Sequence, residues 1–203
     1  MSNVVAIEPI LAAPLPAPPY RKMRPLSRAL SVLFTVFLVL AALFPLATIV
    51  VLAFFSGYVQ MNADGANISI GPHGAFPHAI PGMVRLSDQP VITHLAGAVA
   101  IILSNLPIAM VFWHLRGLFA LYAQGIVFAR ENAIHLKRVG IWLIAYPFAK
   151  FVSNMIFRAA GGVDHAWFRM ELIDAFVLGL IVFVIAQVME FGGQIEEEKD
   201  SFI

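Results

Sequence analysis

The residues of this chain whose types could do chemistry are few and stand in apolar surroundings. Lys150 lies in the middle of an otherwise uncharged stretch, 139–157, and Asp174 lies about one turn into another, 172–189. If both stretches cross a bilayer as neighbouring antiparallel helices, this acid and this base form a candidate intramembrane ion pair. A charge at that depth is costly and marks either a structural pair or an ion or proton pathway. One acid and one base without a relay of further groups favour a structural pair that fixes helix register. Arg158 and Glu171 compete for the same partners. His114 and His135 flank the segment that joins two apolar stretches, where a helical hairpin could bring them together. His73, His78 and His94 could hold a metal ion, but no carboxylate or cysteine is placed to complete a defined coordination shell, so no metal site is expected. The chain has no cysteine, which excludes disulfides, thiolate ligands and cysteine nucleophiles. No serine-hydrolase elbow, paired-histidine zinc motif or phosphate-binding glycine loop is present. The expectation is a chain with no catalytic residue and no cofactor.

The elements that must position these groups follow from composition. Of the 203 residues, 60% are hydrophobic and 12% charged, and the mean hydropathy is +0.84. Soluble domains carry about 25% charged residues. A span needs about 20 apolar residues to cross a hydrocarbon core about 30 Å thick. Four stretches qualify, 29–55, 91–113, 139–157 and 172–189. The fold class expected is all-α, a polytopic integral membrane protein with four transmembrane helices. Residues 1–28 form a Pro-rich basic arm expected to be disordered, 29–191 the four-helix domain and 192–203 an acidic tail. The first span is too long for a cleavable signal.

Orientation follows from lysine and arginine in the flanks. Nine of them fall on one side, in the arm (Arg21, Lys22, Arg24, Arg28), between spans two and three (Arg116, Arg130, Lys137, Arg138) and in the tail (Lys199). Three fall on the other, Arg85, Arg158 and Arg169. Both termini are therefore expected in the cytoplasm. Trp113 and Trp142 fall at the inner interface, and Tyr58 and Trp167 at the outer one, where aromatic rings are enriched.

The outer connection, 58–90, is the longest. Asp64-Gly65 stands between two short alternating segments, which allows a β-hairpin. The proline and glycine content beyond Ile70 points to irregular loop. The cytoplasmic connection, "HLRGLFALYAQGIVFARENAIHLKRVG", says more. Leu118, Phe119, Tyr122 and Ile126 recur at helical spacing, so the second helix runs past its span to about Ala123. Gly125 is the natural stop, and a new helix begins near Arg130. Residues 91–124 make about 50 Å of helix at 1.5 Å per residue, well beyond the bilayer core. A helical hairpin then projects into the cytoplasm, with Ile126, Val127, Phe128 and Arg130 at its tip. These four, with Glu196, Glu197, Glu198 and Asp200 of the tail, are the candidate partner surface. The tip either packs on the inner ends of the other helices or meets a partner. Anionic lipid repels the tail, which leaves the basic hairpin of its own chain or a basic partner. Pro45, Pro107 and Pro147 each free a backbone carbonyl inside a span, and Ser104 and Asn105 could satisfy such groups.

Two segments carry a resemblance. "LFALYAQGIVFARENAIHLKRVGIWLI", residues 118–144, resembles the middle signature of the bacterial family catalogued as domain of unknown function 2975. Leu118, Phe119, Tyr122, Gly125, Phe128, Asn132, Arg138 and Gly140 match it. The close "GGQIEEEKDSFI" is similar to that family's acidic end through Glu197, Glu198 and Asp200. Where the family often has a capping Thr, this chain has Ala129, and loss of such a cap costs about 1 kcal/mol. The family has no established activity. Its members often occur beside small helix-turn-helix regulators, so the resemblance implies a regulatory partner of that kind.

Together these readings give two expectations. The first is a non-enzymatic regulatory or sensory protein of the bacterial cytoplasmic membrane. It would present its hairpin and tail to a cytoplasmic partner, with the bilayer around it, no direct contact to nucleic acid, and a homo-oligomer as an allowed assembly. The second is a small transporter or channel subunit that uses Lys150 and Asp174.

Overall fold

The computed structural model describes residues 23–54, 59–62, 68–70, 83–126, 130–162 and 170–200, with side chains at 24–51, 53–54, 87–126, 130–162 and 170–192. Four helices carry the fold, α1 (Met23–Phe54), α2 (Val91–Gln124), α3 (Arg130–Ala159) and α4 (Met170–Asp200). All four are long and apolar enough to cross a membrane. At 30 to 34 residues they measure about 45–51 Å, where the hydrocarbon core needs about 30 Å.

Packing is inverted relative to a soluble domain. Large apolar side chains such as Leu40, Phe44, Leu95, Phe151 and Val184 are exposed. The buried positions are mostly small or polar, among them Ser27, Ala41, Thr93, Ala96, Ala133, Ser153 and Ala186. Helices in lipid associate through close packing of small residues and hydrogen bonds, because lipid removes the hydrophobic drive between them. The seam between α3 and α4 shows this directly. A Cβ added to Gly140 would come 2.8 Å from the Phe183 nitrogen and 2.9 Å from the Gly179 oxygen. One added to Gly179 would come 2.9 Å from the Ile144 nitrogen. The backbones cross there with only hydrogen between them. The main helix contacts join chain neighbours, α1 to α2, α2 to α3 and α3 to α4. The four therefore form an open row with α1 and α4 at its edges.

Helix ends follow local chemistry. Gly125 closes α2 at φ 89°. Its N–H donates to the Tyr122 carbonyl at 3.0 Å and that of Ile126 to the Leu121 carbonyl at 3.1 Å. Gly161, at φ 84°, closes α3 in the same way. Its N–H bonds Arg158 at 2.9 Å, and the Gly162 N–H bonds Phe157 at 3.0 Å. Each pair satisfies two carbonyls that the helix end would orphan. Across the row, Thr93 donates its hydroxyl to the Ala160 carbonyl at 2.6 Å, which ties the start of α2 to the end of α3.

Pro45, Pro107 and Pro147 lie inside α1, α2 and α3. Pro45 has no N–H to give to the carbonyl of Ala41, four residues earlier. The Asn105 side-chain amide of α2 donates to that carbonyl instead. Asn105 thus satisfies a proline-freed group, as expected, but one on the neighbouring helix.

The connection between α1 and α2 holds three short strands, β1 (Val59–Asn62), β2 (Ile68–Ile70) and β3 (Met83–Arg85), in the order β2-β1-β3. β1 pairs antiparallel with β2, Val59 facing Ile70, as the Asp64-Gly65 signal allowed. β3 also pairs antiparallel with β1, Met61 facing Val84. It stands where irregular loop was expected beyond Ile70, because three residues are too few for alternation to register and only the pairing edge of β1 selects them.

Candidate functional site

One end of the row is where α1 begins, α2 and α3 meet, and α4 finishes. The region is built from the expected hairpin. α2 ends at Gln124 and α3 begins at Arg130, as read from the sequence.

Inside the hairpin, the Nδ1 atoms of His114 and His135 lie 3.3 Å apart. The ring centroids are 5.6 Å apart, with the planes inclined at 54°. Gly117 makes this approach possible, since a Cβ there would come 2.6 Å from Cε1 of His135. His114 is 3% exposed. At that spacing one Nδ1 donates and the other accepts, so the pair can share one proton between the facing nitrogens and has no place for two. Burial, first, then the facing ring and the guanidinium of Arg138 all oppose a charge on His114. Burial and Arg138 oppose one on His135. Nε2 of His114 is buried and unpartnered.

Asn132, 0% exposed, is one turn before His135. Its side-chain amide donates to the Ile126 carbonyl at 2.8 Å, which fastens the hairpin tip to the first turn of α3. Its Oδ1 is buried without a partner. Glu131 sits in the same first turn, where a negative charge suits the helix dipole. The sequence signal for Asn132 was only its place in the resemblance, and the pull it exerts on the tip was not read from it.

The neighbouring helices brace the hairpin. A Cβ added to Gly125 would come 3.2 Å from a guanidinium nitrogen of Arg24, so Arg24 of α1 covers the carbonyl end of α2, where a cation is favoured. Phe34 of α1 stacks on Phe119 at 5.5 Å between ring centroids, and Tyr122 meets Phe119 edge-on at 5.8 Å. Arg116 lies over the Trp113 ring at 5.7 Å. Lys137 pairs with Glu190 of α4 at 3.0 Å. Both side chains of that pair are part-exposed, so it stabilises by less than about 1 kcal/mol. Lys137→Ala should lower the unfolding free energy by no more than that in detergent, and added salt should shrink the difference. A larger, salt-insensitive loss would mean that the pair holds α4 by itself.

The other candidates fall as follows. Ile126 is 39% exposed and Arg130 is exposed, while Val127 and Phe128 lie outside the described residues. The glycines at 192 and 193 do not end α4, which continues through Glu196, Glu197, Glu198 and Asp200. Their side chains lie outside the described set. Along the axis these residues are about 9–15 Å beyond Glu190, about as far as the hairpin tip lies beyond Lys137.

Lys150 and Asp174 are level with each other but form no ion pair. Phe148 and Phe176 meet across the α3–α4 seam, ring centroids 6.3 Å apart, so the positions two residues on from each share one depth. Two residues also turn a helix by about 200°, so neither side chain lies on the flank where those rings meet. Lys150 is half-buried and Asp174 exposed. His94 is half-buried in the first turn of α2, and His73 and His78 lie outside the described residues. Among the described residues no three metal-ligating side chains gather. An open groove of about 480 Å³ between α1 and α2, lined by Phe37, Leu40, Phe44, Asn105 and Phe112, is almost wholly apolar.

No family model, curated protein or solved structure matches this chain.

Proposed function

We propose that this chain is a non-enzymatic, multi-pass protein of the bacterial cytoplasmic membrane whose working part is a cytoplasmic helical hairpin, in the manner of a regulatory or sensory subunit. The observation that carries this reading is the length of α2. Its 34 residues reach about 20 Å beyond a bilayer core, at the end of the row where lysine and arginine concentrate. The resemblance to domain of unknown function 2975 agrees with that layout and brings in a small helix-turn-helix regulator as the partner. The exposed Ile126 and Arg130 at the tip and the acidic end of α4 are the surface offered to it. A transporter or channel subunit would use Lys150 and Asp174 in one pathway, and no ion pair joins the two.

The absence of native cysteine makes the topology directly measurable. Gln124→Cys at the hairpin end and Ser87→Cys at the opposite end are each introduced alone into the full chain. A membrane-impermeant maleimide should label residue 124 only in inside-out vesicles and residue 87 only in spheroplasts. Labelling of residue 124 from outside overturns the orientation and with it the cytoplasmic partner. The partner is tested by recovery of a co-expressed regulator on the full chain and on a chain ending at residue 193; equal recovery removes the tail from the interface.

A further inference from the structure

We propose that His114 and His135 form a protonation switch within the α2–α3 hairpin, closed while one N–H lies between the facing Nδ1 atoms and opened when both rings are charged. The inference rests on the reading of this hairpin as extramembrane, beyond the spans 91–113 and 139–157. Three observations carry it. The facing Nδ1 atoms are 3.3 Å apart, which suits one N–H between two nitrogens and sets two N–H groups against each other once both rings are charged. Gly117 lets α2 lie directly against the His135 ring, so the repulsion acts at a point where the two helices touch. His114 is buried with Nε2 unpartnered, so a charged His114 finds no acceptor there in the closed hairpin and gains one, water, on opening.

The charged groups around the pair do not offset a second proton. On α3, Arg138 opposes it and Lys137 is engaged with Glu190 of α4, while Glu131 lies a turn away in the first turn. On α2, Arg116 is held over Trp113, and Tyr122 packs on Phe119. On α1, Arg24 covers Gly125 and Arg28 is exposed. The closed state therefore binds protons less readily than free imidazole, whose midpoint is about 6.5. Open hairpins take up the extra proton, so closure is fully present above about that pH and is lost as pH falls below it. The device would report cytoplasmic acidification to whatever the hairpin tip touches.

The test uses full-length protein in nanodiscs with spin labels at Gln124→Cys and Ile134→Cys, both exposed sites on opposite arms of the hairpin. The inter-label distance should be constant from pH 8 to 7 and lengthen as pH falls from about 6.5 towards 5. His135→Gln should keep the short distance over the whole range. Arg138→Gln, an exposed substitution that leaves the packing in place, should move the opening midpoint to lower pH, because without that charge the closed hairpin tolerates added protons better. An unchanged distance between pH 8 and 5 in the unsubstituted pair overturns the switch, as does a midpoint indifferent to Arg138→Gln. Maleimide labelling of residue 124 from the wrong side would instead overturn the topology, so the two failures are told apart.

Discussion

Gly140→Leu should separate α3 from α4. An added Cβ there meets the Phe183 nitrogen at 2.8 Å and the Gly179 oxygen at 2.9 Å. Both are backbone atoms, which cannot rotate away as a flexible side chain can. The helices must part along the seam that also holds the Gly179–Ile144 approach and the Phe148–Phe176 contact. Overpacking of a tight interior costs about 1–3 kcal/mol, and Gly140→Ala should fall within that range. Leucine, with three more carbons and no cavity to receive them, should exceed it and leave little folded protein. Gly192 supplies the control, since a Cβ there meets nothing within 4 Å. Gly192→Ala should be neutral or stabilising, because alanine in a helix is favoured over glycine by about 1 kcal/mol. Thermal stability in detergent, read beside the yield of monodisperse protein, distinguishes these outcomes. Equal behaviour of Gly140→Ala and Gly192→Ala would mean that the two backbones do not touch.

The second large effect lies at Pro45. Asn105→Leu should leave the Ala41 carbonyl without a donor, because the proline that follows Ala41 by four residues has no N–H and the Asn105 amide serves in its place. An unsatisfied buried group costs about 1–3 kcal/mol. Hydrogen bonds measured within membranes average nearer about 0.6 kcal/mol, so the loss should lie between these limits. Restoring the donor from within α1 should remove the dependence. In the Pro45→Ala background the residue 45 N–H bonds Ala41, and Asn105→Leu should then cost little. The prediction is a coupling of the two sites in a double-mutant cycle. Strict additivity would show that Asn105 contributes through packing against the groove between α1 and α2 rather than through the proline-freed carbonyl.

Much of this protein was legible in its residues because the bilayer constrains them so strongly. An uncharged run of about 20 residues has one economical conformation when lipid offers its backbone no hydrogen bonds, so the four helices follow from composition. The hairpin boundaries followed from equally local rules. Gly125 admits the left-handed turn that closes α2, and the helical recurrence of Leu118, Phe119 and Tyr122 carries the helix past the span. The Asp64-Gly65 signal allowed the pairing of β1 with β2, which is observed, while those two residues lie outside the described ones.

Facing is what the residues could not express. Counting along two helices put Lys150 in the middle of one span and Asp174 about a turn into the next, and only the packed structure shows them level without an ion pair. Asn105 was marked as a donor for a proline-freed carbonyl, and only the packing of α2 on α1 selected that of Ala41. His114 and His135 stand 21 residues apart in the chain, and the hairpin between them allowed their meeting without fixing it. Their Nδ1 atoms meet because Gly117 brings α2 against α3 at that level and Gly125 returns the chain in register. The sequence alone determined which segments are helical and where they end, because those choices depend on neighbours within a few residues. Which side chains then share a seam, a proton or a freed carbonyl was decided by the tertiary structure, because it depends on the rotation and closest approach of helices far apart in the chain.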